Sequence, residues 1–203
     1  MKAMTPSEAS KPILRRGPGL LLLCLLPIFI GCVTHSPARY YTLDMRPSGS
    51  VTPPHAFQVE RFQVAQALSR DEIMIKMSPT EVEYYATDRW VAHIGELVAR
   101  KLQVELEQEN PDPEAPKLEV AGTIHAFEQV DTPDGAEVYV ALEIIVRKPT
   151  DSRHALPRFQ RHYRENRPTA GPGPVDTVTT LSRVMEEIAR QFAVDVADMT
   201  YDN

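Results

Sequence analysis

Residues 118–147 read LEVAGTIHAFEQVDTPDGAEVYVALEIIVR and predict a β-hairpin with one buried face. Apolar residues alternate with polar neighbours on both sides of a turn: Leu118, Val120, Ile124 and Ala126 precede it, and Val138, Val140, Leu142, Ile144 and Val146 follow it. In the turn, Pro133 presets φ and Gly135 accepts a positive φ. The other face is mostly polar, with Tyr139 and Ile145 as apolar exceptions. One side of this hairpin therefore needs a covering layer.

Five shorter segments predict the other strands. They are residues 40–43, 56–64, 72–77, 81–85 and 158–165. The apolar residues within 56–64 switch parity, which indicates a bulge or bend near Arg61. The third and fourth segments flank Ser78-Pro79-Thr80, so they are predicted to form a second hairpin.

Two segments have the period of amphipathic helices. In residues 90–106 the apolar stripe is Trp90, Val91, Ile94, Leu97, Val98 and Leu102, and the predicted solvent side carries Glu96, Arg100, Lys101 and Glu105. Asp88 is placed to cap this helix, which must end before Pro111. In residues 176–197 the stripe is Val178, Leu181, Met185, Ile188 and Phe192. Strands followed by a helix, twice, predict one α+β domain with two amphipathic helices packed on a mainly antiparallel sheet.

Residues 20–32, LLLLCLLPIFIGC, have the pattern of a bacterial lipoprotein signal. Basic residues precede a short apolar run, and the small Gly31 stands directly before Cys32. A transmembrane helix is the alternative, but it needs about 20 apolar residues. The prediction is a signal peptide at residues 1–31, lipidation of Cys32, a tether at residues 32–39, and one periplasmic α+β domain at residues 40–203.

Charge and cysteine content restrict the partners. The whole chain has a net charge of −6, and loss of a signal with four Lys/Arg and one Glu leaves it near −9. An acidic chain disfavours nucleic acid as a partner and also disfavours electrostatic attachment to anionic lipid. Of the two cysteines, Cys24 lies in the signal and Cys32 is the acylation site, so the domain holds no thiol.

The common catalytic and cofactor motifs are missing from the sequence. It has no Gly-Lys-Ser/Thr phosphate loop, no strand-linked GxGxxG, no GxSxG elbow and no HExxH. The histidines are dispersed, and His93 is expected to be a partly buried polar residue rather than a metal ligand. We therefore expect no catalytic residue, no cofactor and no metal.

The hairpin at residues 72–90 carries apolar side chains on both parities, among them Ile73, Ile75 and Val82. Such a strand is covered on both faces, either within the chain or by something outside it. Two helices can hardly cover both faces, and Met and aromatic residues are enriched in interface cores. The candidate partner interface is Met74, Tyr84, Tyr85 and Trp90. Ordinary core packing is the alternative.

At these residues the chain resembles the auxiliary lipoproteins of ABC-type transport systems, the family of paraquat-inducible protein C. The resemblance covers Tyr40-Tyr41-Thr42-Leu43 soon after Cys32, the block ALSRDEIMIKMSPTEVEYYATDRW at residues 67–90, and the closing meander and helix. It implies an outer-membrane lipoprotein that works with an MCE-domain protein in lipid transport and envelope integrity. It also implies a homo-oligomer and a fold similar to the N-terminal domain of TolB. The family offers no catalytic motif, so Cys32 alone is carried over.

Three functions remain open from the sequence. The first is a non-catalytic auxiliary subunit of a lipid-transport system, attached to the outer membrane and facing the periplasm. Val33, directly after Cys32, is compatible with that membrane. The second is a solitary lipoprotein that binds a lipid or small molecule between helix and sheet. The third is a periplasmic hydrolase whose site the motifs miss.

Overall fold

The computed structural model describes residues 36–49, 53, 55–107, 117–149 and 156–199. The predicted signal peptide, Cys32 and the first residues of the tether lie outside the described residues. The described residues belong to one compact unit that begins at Ser36.

The described residues form eight strands and two α-helices. The strands are β1 (Arg39–Tyr41), β2 (Phe57–Val59), β3 (Gln63–Val64), β4 (Glu72–Ser78), β5 (Glu81–Trp90), β6 (Leu118–Thr132), β7 (Gly135–Arg147) and β8 (Phe159–Pro168). The helices are α1 (Ile94–Glu105) and α2 (Pro174–Ala197), and a short 3-10 helix spans Gln66–Leu68. The predicted α+β class is therefore confirmed.

The β6–β7 hairpin is the centre of one mixed sheet with the order β1-β5-β4-β6-β7-β8. Antiparallel pairs join β4 to β5, β6 to β7 and β7 to β8. The edge of β6 that faces away from β7 pairs in parallel with β2, then β3, then β4 along its length. A two-residue loop closes the hairpin, and Gly135 has a φ of +142° there, a region that L side chains rarely adopt. The predicted turn is confirmed.

Both helices pack on the same face of the sheet and contact each other. The inward side chains of β7 are at most 1% exposed: Val138, Val140, Leu142, Ile144 and Val146. The predicted stripe of α2 is buried against them, since Leu181, Met185 and Phe192 have no exposed surface. Each such side chain contributes about 1.5–3 kcal/mol through removal from water. The ring of Phe192 also lies 5.8 Å from that of Phe159.

The predicted start of the first helix is wrong by four residues. Trp90 is the last residue of β5, where it pairs with Tyr41 of β1, and the Val91 amide donates to the Tyr41 carbonyl at 2.8 Å. These sheet hydrogen bonds compete with a helical turn at the same residues. The N-cap is His93, whose Nδ1 accepts a hydrogen bond from the Gly95 amide at 3.2 Å. Asp88, the predicted cap, lies inside the strand.

Two charged residues of α1 that were expected in solvent are buried. Lys101 is 1% exposed and Glu105 is 5% exposed. The Lys101 ammonium donates to the Arg46 carbonyl and lies 3.7 Å from Glu105 Oε2. Glu105 Oε2 also accepts the Ser48 amide at 2.9 Å. The segment after β1 folds over this side of the helix, which periodicity within the helix cannot indicate.

The segment at residues 56–64 forms two short strands rather than one. The chain leaves the strand between Val59 and Gln63, so the predicted break near Arg61 is confirmed. Phe62, within the break, is 1% exposed, and its amide donates to the Gly95 carbonyl of α1 at 3.2 Å.

Candidate interaction face of the sheet

The face of the sheet opposite the two helices, hereafter the open face, is set by a β-bulge in β6. Ile124 pairs with Leu142 and Ala126 pairs with Ala141, so His125 is an extra residue. A bulge of one residue reverses the alternation of side chains along a strand. The residues after it, Ala126 and Glu128, therefore point away from the helices, as His125 itself does.

A groove crosses the open face. Its first part is a cavity of about 390 Å³ lined by Met74, Lys76, Val82, His125, Ala126, Glu128, Tyr139, Ala141, Leu142, His162 and Arg164. The second part has about 350 Å³ and is lined by Lys76, Ser78, Pro79, Val130, Asp131, Tyr139 and Asn166. The two cavities share Lys76 and Tyr139, so they adjoin. Tyr139, an apolar exception on the polar face of the sequence pattern, lines both.

Glu128 is a buried carboxylate in this groove. It is 3% exposed, and its Oε1 lies 3.8 Å from Lys76 Nζ, too far for a direct hydrogen bond. Burial raises the pKa of the Glu128 carboxyl above its ordinary value, and the Lys76 ammonium only partly offsets this. A carboxylate held in this way favours a hydrogen-bond donor from a binding partner.

The rim of the groove carries polar groups from three adjacent strands. Glu143 of β7 lies between His125 of β6 and His162 of β8, with Nε2–Oε distances of 4.0 Å and 3.7 Å. The Gln160 amide also donates to Glu143. About half of each imidazole is exposed, so this rim is accessible to a partner.

Two of the four predicted interface residues lie in the protein core. Met74 is 6% exposed and Trp90 is 4% exposed. The Trp90 indole packs edge-on against Phe127 with 5.8 Å between ring centroids. As placed, neither side chain offers a partner more than a small surface.

The two predicted tyrosines are half-buried, and both hydroxyls are bound within the chain. The Tyr84 hydroxyl donates to the Ala67 carbonyl at 2.9 Å, and the Arg70 guanidinium lies over its ring at 4.3 Å. The Tyr85 hydroxyl lies 2.6 Å from Gln129 Oε1 and 2.8 Å from the Pro172 carbonyl, just before α2. Burial raises the pKa of the Tyr85 hydroxyl. Tyr85 thus ties the hairpin to the start of α2.

Val82 and Met77 are the accessible apolar residues of the same hairpin. Val82 is 45% exposed and lines the groove opposite Lys76, and Met77 is 38% exposed. Val82 belongs to the apolar residues predicted on both parities of the hairpin, but the predicted interface does not include it. Whether a partner contacts this segment stays a prediction, and Val82 is the residue that such a partner would reach.

Strand β1, which follows the tether, is fastened to β5 by a buried carboxylate. Asp88 is 3% exposed, and its Oδ1 lies 2.8 Å from Arg39 Nε and 2.8 Å from the Tyr41 hydroxyl. Thr87 donates to Oδ2 at 3.0 Å. Burial opposes ionisation of Asp88, but these hydrogen bonds outweigh it and hold its pKa below the ordinary value. The point at which the tether meets the domain is therefore fixed.

The described part of the chain contains no group of three His, Cys, Asp or Glu side chains arranged to hold a metal ion. His93, expected from the sequence to be a partly buried polar residue, is partly buried and caps α1. In the same residues, no helix has the length and apolar character needed to cross a bilayer.

In the described residues, the fold and this face define an α+β domain whose two helices lie on one side of the sheet. The sequence profile of the ABC-type transport auxiliary lipoprotein component matches residues 41–193. The chain belongs to this family, as the resemblance indicated. The family description supports membrane attachment in the cell envelope and a supporting role in transport.

Solved structures share the fold. The crystal structure of protein XCC0632 from Xanthomonas campestris, of the family DUF330, has a TM-score of 0.63 and 13% identity over 76% of this chain and 92% of its own. A second crystal structure, of an uncharacterized protein, has a TM-score of 0.60 and 13% identity over 79% of this chain and 99% of its own. At these identities the likeness shows the fold alone. No curated protein sequence matches the chain.

Proposed function

We propose that this protein is a non-catalytic auxiliary subunit of an ABC transport system that moves lipid with an MCE-domain protein. Acylated Cys32 attaches it to the outer membrane, with the domain in the periplasm. The family match over residues 41–193 and the Gly31-Cys32 signal support the role and the anchor. Val33 after the anchor is compatible with the outer membrane. The resemblance is the support for an MCE partner and for self-association.

The open face is the observation that carries the proposal. Both described helices lie on one face of the sheet. The opposite face holds a groove with Val82 and Tyr139 in its wall. Exposed apolar side chains with polar groups around them are typical of a surface that another protein covers. We assign this groove to the partner protein of the transport system.

The test is affinity purification of the full lipoprotein from membranes, with its partners identified by mass spectrometry. Val82→Glu places a charge in the groove at a side chain that already meets water, so the fold should survive. Val175→Glu is the matched control, since Val175 is 56% exposed on α2 and outside the groove. We expect an MCE-domain protein to be recovered with wild type and with the control, and to be lost with Val82→Glu.

Two results would contradict the proposal. Recovery of the partner with the Val82 variant would exclude the groove as the docking surface. A wild-type sample without any transport component would exclude the auxiliary role. Light scattering on the same samples reports self-association separately from partner binding.

Binding of a small amphiphile is the second candidate function. Its binding site would be the groove on the open face rather than the pocket between helix and sheet that was expected from the sequence. The second cavity is walled by Pro79, Val130 and Tyr139, next to the charged groups of the first. A lipid extracted from the purified lipoprotein, and lost in Val82→Glu without loss of the partner, would support this function instead.

A further inference from the structure

Two exposed apolar side chains stand together where the tether meets the sheet. Tyr40 of β1 is 64% exposed, and Val91, directly after β5, is 59% exposed. Tyr40 pairs with Arg89, and Val91 is two residues beyond Arg89 along the same strand direction. The Val91 amide donates to the carbonyl of Tyr41, the neighbour of Tyr40, so Tyr40 and Val91 lie close together at the β1–β5 edge.

This apolar pair is held in a fixed position. Tyr41, next to Tyr40, is bound through its hydroxyl to the buried Asp88, and its carbonyl accepts the Val91 amide at 2.8 Å. Arg39, which precedes Tyr40 in the chain, binds the same carboxylate. Hydrogen-bonded backbone therefore holds both residues of the pair in place.

The tether keeps this edge close to the membrane if Cys32 is acylated, a point on which the inference depends. Arg39 is the seventh residue after Cys32, and an extended chain of seven residues spans at most about 25 Å. A short tether gives a second, weak contact a high effective concentration at the bilayer. Tyrosine is enriched at membrane–water interfaces, where its ring is apolar and its hydroxyl stays hydrated.

We propose that Tyr40 and Val91 form a membrane-contact patch that inserts into the interface of the bilayer holding Cys32. The contact directs the β1–β5 edge toward the lipid. Strand β8, at the opposite end of the sheet order, then lies farthest from the membrane. The groove, which runs from β5 to β8, opens sideways into the periplasm with its Arg164 end directed away from the bilayer.

Fluorescent labels at single cysteines test this orientation. The mature domain has no thiol of its own, because Cys24 leaves with the signal and Cys32 is acylated. Tyr40→Cys and Val91→Cys would each carry a polarity-sensitive fluorophore, and Val175→Cys on α2 is the equally exposed control. Each full lipoprotein is reconstituted in phosphatidylcholine–phosphatidylglycerol vesicles with or without a nitroxide-labelled lipid.

We expect the labels at residues 40 and 91 to shift to the blue and to lose emission to the nitroxide, and the label at 175 to do neither. Equal behaviour at all three positions in a chain that floats with the vesicles would overturn the membrane-contact patch while leaving the anchor intact. A chain that does not float would overturn the anchor, and the patch with it. Partner recovery in the Val82 experiment is independent of both results.

Discussion

Asp88 connects the membrane tether to the sheet through a single carboxylate. It is buried on β5, and the groups around it, Arg39, Tyr41 and Thr87, lie on or beside the strand that the tether enters. A buried charge is retained at low cost only when its hydrogen bonds are satisfied. These three donors satisfy Asp88, so the carboxylate stabilises β1 on the sheet edge.

Asp88→Asn should loosen β1 and lower the free energy of unfolding by about 1–2 kcal/mol at pH 7. Hydrogen bonds to a charged group are stronger than neutral ones, which sets the size of the loss. Water partly screens the exposed Arg39, which limits it. The folded pKa of Asp88 lies below the ordinary value near 3.8. Its contribution is therefore complete above about pH 3.8 and is lost as the pH falls through the folded pKa. Urea melts at several pH values should show the difference from wild type shrinking in acid.

The Val91 amide donates a hydrogen bond to the Tyr41 carbonyl of β1, so its hydrogen exchange should become faster in the same variant. Asp134→Asn, in the exposed hairpin turn, is the control and should match wild type in both measurements. An Asp88 variant with unchanged exchange at Val91 would show that backbone pairing alone holds β1.

The sequence could not assign Asp88, Lys101 or Glu105 correctly. Each was interpreted by its position within one helix, as a cap or as a solvent-facing charge. Their actual partners, Arg39, the Arg46 carbonyl and Ser48, are 49 to 57 residues away along the chain. Burial of a charge depends on such distant contacts, which local periodicity does not contain.

At the scale of elements, the helices and the two hairpins followed from periodicity and turn chemistry because those signals are local. Two features did not. The bulge at His125 decides which side chains reach the open face, yet it leaves no mark beyond a change of parity in a short run. The boundary between β5 and α1 is set by pairing with β1, which uses the same apolar residues that a helix would bury.

Ile188→Asp tests the packing of α2 on the sheet. Ile188 is 2% exposed in the middle of the helix stripe, so an aspartate there would be buried without a partner. We expect a loss of more than about 3 kcal/mol in the free energy of unfolding, measured by thermal or urea melts. Val194 of the same helix is 36% exposed, so Val194→Asp should lower the free energy of unfolding by about 0.5 kcal/mol. Equal melting of the two variants would mean that α2 does not bury this stripe.

At the scale of the whole molecule, the fold class was predictable because two amphipathic helices and a set of strands have few ways to bury each other. The candidate interface at residues 72–90 stays a prediction. The sequence indicated that residues 72–90 are apolar on both faces, but Met74 and Trp90 are buried while Val82 is 45% exposed. Which of several apolar residues remains exposed depends on where the helices stop covering the sheet.

Cys32→Ala tests the anchor, on which the position of the whole domain depends. Without the thiol no acyl chain is added, and each buried CH₂ of such a chain contributes about 0.8 kcal/mol to membrane binding. The paired apolar side chains of Tyr40 and Val91 are too few to replace that energy. We expect membrane fractionation with palmitate labelling to show a soluble or unprocessed precursor instead of a labelled, membrane-bound form. Ser36→Ala, in the tether, should fractionate as wild type. An unlabelled Cys32→Ala chain that stays tightly on the membrane would show that something other than lipidation holds this protein there.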